Sequence, residues 1–384
     1  MVIKNIFVRT MAKENFPKGF IEFQEGKIIR TGPMDQCPAG EAFDGEGAVA
    51  LPGLIDAHCH LGMWEEGSGF EGDDGNEDSD PCTPHLRAID GIKLDRAFRE
   101  AAQAGIAAVI TGPGSANPIS GQMCALKTVG DRVDDMILKA PAAIKFAFGE
   151  NPKNTYHEKE QGPVTRMGIA ALIREQLTKA RKYQEQLQRA ASEEDFDEPE
   201  YDAKYEALLP LLRGEIDAHI HAHTPEDMFT GIRIAKEFGL KYVLVHGTGG
   251  HKIAKALAQE GSRVIAGPLM GARTKPELSY YEEETPGILT KAGVSVALCT
   301  DHPEMPIHHL MLAAKMAVEA GMDEEKALQA ITIEPARFCG LENRMGTLEP
   351  GKDANIVLYR SDPMHSLCSK PFAVWLYGKV INEL

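Results

Sequence analysis

The sequence predicts an α/β protein: a (β/α)8 TIM barrel joined to a small β-sandwich domain that is formed from both chain termini. Two observations support this fold class. Amphipathic helical segments alternate with short apolar strands from about residue 94 onward, and polar residues recur at the carboxyl ends of those strands. A barrel gathers such ends at one mouth, whereas an open sheet spreads the outermost ends apart. The recurring polar ends therefore favour the closed barrel.

The alternation of helix and strand is clearest in four segments. In each, an amphipathic helix ends at a glycine and a short β-branched strand follows. The pairs are LDRAFREAAQAG with IAAVITGPG, EDMFTGIRIAKEFG with LKYVLVHGTGG, HKIAKALAQEG with SRVIAGPLMG, and PGILTKAG with VSVALCTDHP. The strands are apolar nearly throughout, as a parallel sheet covered on both faces requires. Residues 164–213 also have helical periodicity, and we expect them to form an exposed helical excursion from the barrel.

The two ends of the chain have a different pattern. Residues 1–50 contain short segments such as KNIFVRT, FIEFQEG and KIIRTG, separated by Gly and Pro turns, and residues 345–384 are similar. Neither end could bury much apolar surface alone, so we expect them to pair into one small β-domain. Residues 51–344 remain for the barrel.

Composition restricts the class of partner. The chain has 41 Lys and Arg against 57 Asp and Glu, and its net charge of −16 disfavours nucleic acid and anionic membrane surfaces. The first residues, MVIKNIFVRTMAKENF, lack a continuous apolar segment, and no run approaches the roughly 20 apolar residues of a membrane span. We therefore expect a cytoplasmic protein that acts on a small-molecule substrate. A homo-oligomer is compatible with the sequence.

The cysteines are scattered. There are seven, with no CxxC pair, which favours reduced thiols over a disulfide framework or a Cys-rich zinc site. Any bound metal would therefore be held by histidines and carboxylates.

The most informative stretch is LPGLIDAHCHLG, residues 51–62. Side chains alternate between the two faces of an extended strand, so His58 and His60 point to the same side while Cys59 points to the other. Neutral imidazole is the commonest metal ligand in proteins. The spacing alone is also compatible with an exposed strand face or with two separately hydrogen-bonded residues.

Further polar residues at strand ends favour the metal interpretation. A catalytic Zn²⁺ site uses imidazole nitrogen and carboxylate oxygen and leaves one position for water. Four different strand ends together supply such a set: His58, His60, His221, His246 and Asp301. A hydrogen-bonded histidine or a capping aspartate explains any one of them, but not their joint placement at strand ends.

The motifs PGLIDAHCH and TDHP, the strand-end histidines and the tail GTLEPGKDANIVLY resemble the amidohydrolase superfamily, and more narrowly its imidazolonepropionase-related branch. The resemblance extends over nearly the whole chain. It implies a (β/α)8 barrel with one or two divalent ions, Zn²⁺ being the expected metal. It further implies that His58 and His60 bind the more buried ion, and that Asp301 is both a ligand and a proton shuttle.

Two ligand assignments stay open. His219, His221 and His223 share one strand face, and the family pattern matches His221 best; His223 would then meet substrate and His219 would pack inside. On the fourth strand, some members of the superfamily use a carboxylated lysine, for which Lys145 is the candidate. Others use a glutamate, for which the candidate is Glu150. We carry both and expect at least one of them to touch metal.

These residues predict a metal-dependent hydrolase of a C–N bond in an amide, cyclic amide or dipeptide-like substrate. A bound divalent ion supplies hydroxide at neutral pH, and Asp301 acts as general acid and base. The same site would suit an aminohydrolase that releases ammonia. A non-catalytic scaffold that kept the barrel is the alternative from another class.

Substrate contacts are less defined in the sequence. Arg273 follows the seventh strand and could pair with a substrate carboxylate, and His302 could line the pocket beside Asp301. Residues 62–85 form an acidic, Gly-rich segment directly after the histidine pair. That segment is either a lid over the mouth or a solvated loop.

Overall fold

The structure is a computed structural model, and it describes residues 1–65, 67–366 and 370–383. Six cysteines lie in this part of the chain, and all six are free thiols. The seventh, Cys368, lies outside the described residues.

The strands are numbered in chain order. The N-terminal strands are β1 (Val2–Val8), β2 (Phe16–Gln24), β3 (Lys27–Pro33), β4 (Phe43–Asp44) and β5 (Val49–Pro52). The barrel strands are β6 (Leu54–Cys59), β7 (Ile106–Thr111), β8 (Ile119–Lys127), β9 (Ile137–Ala147), β10 (Asp217–Ala222), β11 (Tyr242–His246), β12 (Arg263–Ala266) and β13 (Ser295–Leu298). The C-terminal strands are β14 (Ile356–Tyr359), β15 (Ala373–Leu376) and β16 (Lys379–Glu383).

The helices are numbered in the same way. They are α1 (Arg96–Gln103), α2 (Val133–Met136), α3 (Glu150–Glu158), α4 (Arg166–Ser192), α5 (Ala203–Leu212), α6 (Pro225–Phe238), α7 (Ala254–Gln259), α8 (Thr285–Lys291), α9 (Leu310–Glu319), α10 (Glu324–Ala330) and α11 (Ile333–Cys339). No helix in the described part of the chain combines the length and the apolar character that crossing a membrane requires.

Strands β6 to β13 form one eight-stranded sheet in sequential order. The sheet closes beside the histidine pair, where the Asp301 amide donates to the His58 carbonyl at 3.1 Å and the His60 amide donates to the His302 carbonyl at 2.9 Å. The predicted barrel is therefore present, and its closing seam brings the first and last strand ends together.

One strand departs from the predicted (β/α)8 pattern. β8 runs antiparallel to both of its neighbours, β7 and β9. Only residues 112–118 separate β7 from β8. A parallel crossover needs a dozen or more residues, so this connection reverses the chain instead. The regular alternation of strand and helix is thus interrupted at the third strand.

The two chain ends pair as expected. β14 runs antiparallel to β5, which lies parallel beside β1, so both ends belong to one sheet. Its apolar core includes Phe23, Phe43 and Trp375, whose rings meet edge to face. The hydrogen bonding joins both ends into a single eight-stranded sheet, and the sandwich form of this domain stays a prediction.

The helical excursion is also present, as α4 and α5, but it is not simply exposed. Ile169, Ile173 and Leu177 are buried along one side of α4. Residues four apart lie on the same side of a helix, so this row forms an apolar stripe. Ile173 and Leu177 border a small cavity together with Phe146 of β9 and Ile234 of α6. The excursion therefore covers the outside of the barrel with one face and exposes only the other.

Arg9 joins the terminal sheet to the barrel helices. Its guanidinium lies 2.7 Å from Glu324, 2.8 Å from Glu325 and 3.4 Å from Asp362. His365 approaches Glu324 at 3.3 Å, so these acidic groups and the histidine lie close enough together to suggest a cation site. The buried guanidinium is the cation that the carboxylates already share.

We expect Arg9→Met to lower the free energy of unfolding by about 2 kcal/mol, because it leaves three partly exposed carboxylates without their shared partner. Urea denaturation measures this change. The control is Arg30→Met, which removes an exposed ion pair with Glu22 and should cost less than about 1 kcal/mol. Equal losses in the two variants would contradict the structural role of Arg9.

Candidate metal centre

His58 and His60 reach the barrel mouth from the end of β6. His60 places Nδ1 at 2.7 Å from the Gly112 carbonyl oxygen, so Nδ1 donates and Nε2 is the nitrogen with a free lone pair. That Nε2 lies 3.4 Å from Asp301 Oδ1, and His58 Nε2 lies 3.6 Å from the same oxygen. The predicted pair therefore aims both rings at one carboxylate.

His246 and His221 enter the same site from β11 and β10. His246 Nδ1 donates to the Gly267 carbonyl at 2.8 Å, which again leaves Nε2 as the acceptor nitrogen. The His246 ring lies 4.6 Å from the His221 ring and 5.8 Å from the His58 ring. Both ring nitrogens of His221 are buried and have no hydrogen-bond partner within the described part of the chain. Such an unpartnered imidazole is expensive unless another group uses its nitrogen.

Burial sets the protonation of these rings. It is the largest cause that lowers the pKa of His58 and His221 well below the usual value, and it lowers that of His246 to about 4. The pKa of Asp301 is also lowered: burial acts to raise it, but the fields of His246 and His60 outweigh that effect. The site thus contains neutral imidazoles and an ionised carboxylate, the forms that bind a metal cation.

The backbone is strained at two of these residues. His246 has φ 71° and Asp301 has φ 53°, both in the left-handed region that residues other than glycine rarely adopt. Such conformations cost about 1–3 kcal/mol each and persist where the surrounding structure enforces them. Both residues stand directly at the mouth.

Lys145 and Glu150 have different positions. Lys145 of β9 is 1% exposed, and its Nζ lies 2.9 Å from His58 Nε2. Burial lowers its pKa to about 8, although Asp301 acts in the opposite direction. Glu150 begins α3 and accepts a 3.3 Å hydrogen bond from the Glu277 amide. The structure therefore brings Lys145 into the histidine cluster and places Glu150 with a neighbouring loop.

His219 and His223 flank His221 on β10 and just beyond it. His223 Nδ1 lies 2.7 Å from Thr248 Oγ1, and its ring stacks on His246 at 4.7 Å. His219 is buried deeper, with its ring 6.5 Å from that of His58. Two sets of ligand atoms each lie within 4.8 Å of one another: those of His58, His246 and Asp301, and those of His221, His223 and His246.

Asp56 supports the site from behind and was not predicted. It is fully buried and accepts hydrogen bonds from the His58 amide and from the amide and hydroxyl of Thr300. Burial, only partly offset by the Thr300 hydroxyl, raises its pKa to about 7. This carboxylate connects the first barrel strand to the residue before Asp301. The motif IDAHCH contains it, but only the fold shows that it bridges to Thr300.

A cavity of about 810 Å³ opens above the cluster. Both polar and apolar side chains line it, a combination that suits a small-molecule ligand. Trp64 lies edge-on against His60, with ring centroids 4.8 Å apart. Gly75 and Gly114 both pack so closely on the indole that a Cβ at either position would collide with it. Trp64 was not predicted as a wall of the site, because a tryptophan inside a loop has no periodicity to identify it.

The acidic segment after the histidine pair has features of both proposed alternatives. Trp64 and Asn76 line the cavity, as a covering loop would. Three lysines from elsewhere in the chain hold the segment through ion pairs: Lys93 with Asp74, Lys159 with Asp78 and Lys204 with Asp80. It is therefore an anchored wall of the mouth.

The predicted substrate residues lie apart from one another. Arg273 is exposed and donates to the Tyr281 carbonyl at 2.6 Å, and it is not among the described residues that line the cavity. His302 is buried, and its Nδ1 accepts a 3.2 Å hydrogen bond from the Ile307 amide. Its Nε2 has no hydrogen-bond partner among the residues that the structure describes. Lys275, two residues after Arg273, lines the cavity instead.

Comparison with known proteins identifies the family. The model of the amidohydrolase family matches residues 283–382. The crystal structure of an amidohydrolase from Thermotoga maritima MSB8 is 40% identical over the full length of both chains, with a TM-score of 0.95. The chain belongs to the amidohydrolase superfamily, as the sequence motifs indicated.

Two curated relatives extend this comparison. The amidohydrolase tasK of Hapsidospora irregularis is 29% identical over 92% of this chain, which spans only 38% of that longer protein. The imidazolonepropionase of Sphingopyxis alaskensis is 25% identical over 92% of this chain and 90% of its own length. These relatives support hydrolysis of C–N bonds as the chemical class.

Proposed function

We propose that this chain is a metal-dependent amidohydrolase that cleaves a C–N bond in a small amide, cyclic amide or dipeptide-like substrate. One observation supports this most directly: buried ligand atoms from four strand ends converge, and His221 and Asp301 leave atoms there without a hydrogen-bond partner among the described residues. Such orphaned atoms fit the donor set of a divalent cation, with Zn²⁺ as the proposed metal.

The ligands proposed are His58, His60, His221, His246 and Asp301, with one or two ions per chain. We assign the fourth-strand ligand to Lys145 rather than Glu150, because only Lys145 lies against the histidines. Its amine would combine with CO₂ and lose a proton to give a carbamate, which turns a cationic side chain into an oxygen ligand. A divalent ion held there would supply hydroxide at neutral pH and would polarise the carbonyl under attack.

The remaining steps belong to the protein. Asp301 is ionised at the mouth, so it can accept the proton of the attacking water and return it to the leaving nitrogen. His60 and His246 hold their orientation through backbone carbonyls, which fixes the nitrogen that each presents. Trp64 closes one wall and helps to exclude bulk water from the reacting groups.

We further propose that residues 51–344 form the catalytic unit, since every candidate ligand lies within them, and that the terminal sheet is a supporting domain. The free thiols of the described cysteines agree with a reducing compartment such as the cytoplasm.

Metal analysis combined with a substrate screen tests the proposal. The purified protein should contain one or two equivalents of a divalent ion. It should also hydrolyse at least one compound among N-acyl amino acids, dipeptides, cyclic ureides and imidazolones. Chelation should abolish the activity, and zinc or manganese should restore it. Ammonia as the main product would indicate an aminohydrolase, and absence of stoichiometric metal would contradict the proposal.

A further inference from the structure

The wall of the cavity above the candidate metal centre carries a positive charge. Among the described residues that line the cavity, Lys275 is the only lysine or arginine. It lies in the segment between β12 and α8, and its side chain is 29% exposed. The ammonium group is therefore partly withdrawn from water but still open to the cavity.

Two side chains hold the Lys275 ammonium in place. Nζ donates to Asn151 Oδ1 at 2.8 Å, and it lies 2.8 Å from Glu277 Oε1. The Glu277 side chain is only 1% exposed, so this carboxylate is part of the protein interior. The contact with Asn151 is a hydrogen bond and the contact with Glu277 is an ion pair. An ammonium group has three N–H donors, so donor capacity remains for a ligand in the cavity.

The partners of Lys275 are themselves braced by other loops. Asn151 donates from Nδ2 to Ser115 Oγ at 2.7 Å, and the Glu150 amide donates to Glu277 Oε2 at 2.9 Å. The segments that follow β7, β9 and β12 thus fix one cation jointly. A lysine that is ordered before binding loses little conformational entropy when it meets a ligand.

This cation lies close to the candidate metal centre. Glu277 Oε1, which contacts Lys275, is also 3.6 Å from His223 Nε2, and the His223 ring stacks on His246. One carboxylate and one imidazole therefore separate the ammonium from a proposed metal ligand. Lys275 and His246 also line the same cavity.

We propose that Lys275 binds a carboxylate of the substrate, so that the substrate class is a small amide with a free carboxylate near the scissile C–N bond. Glu277 acts as the positioning residue for Lys275. The inference about the substrate rests on the proposed function, but binding of a carboxylate by Lys275 can be tested without any turnover. It also assigns to Lys275 the role that the sequence suggested for Arg273.

The test compares two probes that lack a C–N bond: hydrocinnamate and the corresponding alcohol. Binding to the metal-loaded protein is followed by tryptophan fluorescence, because Trp64 lines the cavity and the other tryptophan, Trp375, is buried in the terminal sheet. The wild type should bind the carboxylate at least about tenfold more tightly than the alcohol. Lys275→Met should remove that preference, while its metal content stays at the wild-type level.

Two further variants complete the design. Lys275→Met combined with Glu277→Gln removes both charges, so it tests binding without an unpaired buried carboxylate if the single variant is unstable. Arg273→Met changes the exposed neighbour and should keep the wild-type preference. The inference is overturned if the wild type has no preference, if the double variant keeps it, or if Arg273→Met loses it. Because neither probe can be hydrolysed, this result is independent of the substrate screen.

Discussion

Asp301→Asn is expected to lower kcat by about a thousandfold, the range in which a positioned general acid and base contributes. The side chain lies 3.4 Å from His60 and 3.6 Å from His58, and its pKa is lowered, so an ionised carboxylate is available at neutral pH. Asparagine keeps the size of the group but cannot accept and return a proton. Steady-state kinetics on a substrate from the screen measures the effect.

The control for this variant is Asp90→Asn, which changes an aspartate that is 68% exposed and should leave kcat within twofold of wild type. Metal analysis of Asp301→Asn separates loss of proton transfer from loss of the ion. A variant that keeps its metal and more than about a tenth of the wild-type kcat would show that Asp301 is not the acid and base.

Lys145→Ala is expected to lose at least one equivalent of bound metal, with activity falling by about a thousandfold. Lys145 is buried against His58, where a charged ammonium is costly, and burial lowers its pKa to about 8. A larger neutral fraction than that of an exposed lysine is thus available to react with CO₂. Elemental analysis gives the metal content, and NMR after incubation with ¹³C-bicarbonate detects the carbamate in the wild type.

Two variants control this experiment. Lys139 lies on the same strand, but its Nζ donates to the Cys339 carbonyl at 3.1 Å, and Lys139→Ala should keep the metal and the activity. Glu150→Gln tests the alternative ligand and should also keep the metal. If Glu150→Gln loses the ion while Lys145→Ala retains it, the assignment must be reversed.

Local geometry made part of the site predictable. The alternation of side chains along a strand was enough to place His58 and His60 on one face. The carboxyl ends of parallel strands meet at one mouth of a barrel, regardless of loop conformation. His246 and Asp301 followed from the same rule. The choice between Lys145 and Glu150 could not be made by this rule, because the sequence does not show that β9 ends at Ala147 and that Glu150 already begins a helix.

Features that depend on loops and on strand direction were not predictable. An apolar segment such as β8 has the same hydrophobic pattern whether the strand runs parallel or antiparallel to its neighbours. Only the short connection between β7 and β8 indicates that the strand is reversed. Arg273 and Lys275 lie two residues apart in an irregular segment, and no periodicity indicates which of them faces the cavity. Glu277 and Asp56 gain their roles only through partners distant in sequence.

Anomalous diffraction at the zinc edge, from crystals of the protein as purified or reconstituted with zinc, tests the metal centre most directly. We predict a peak within bonding distance of His58, His60 and Asp301 or of His221 and His246, or one at each place. A peak confined to the Glu324, Asp362 and His365 group, or no peak at the barrel mouth after reconstitution, would contradict the account.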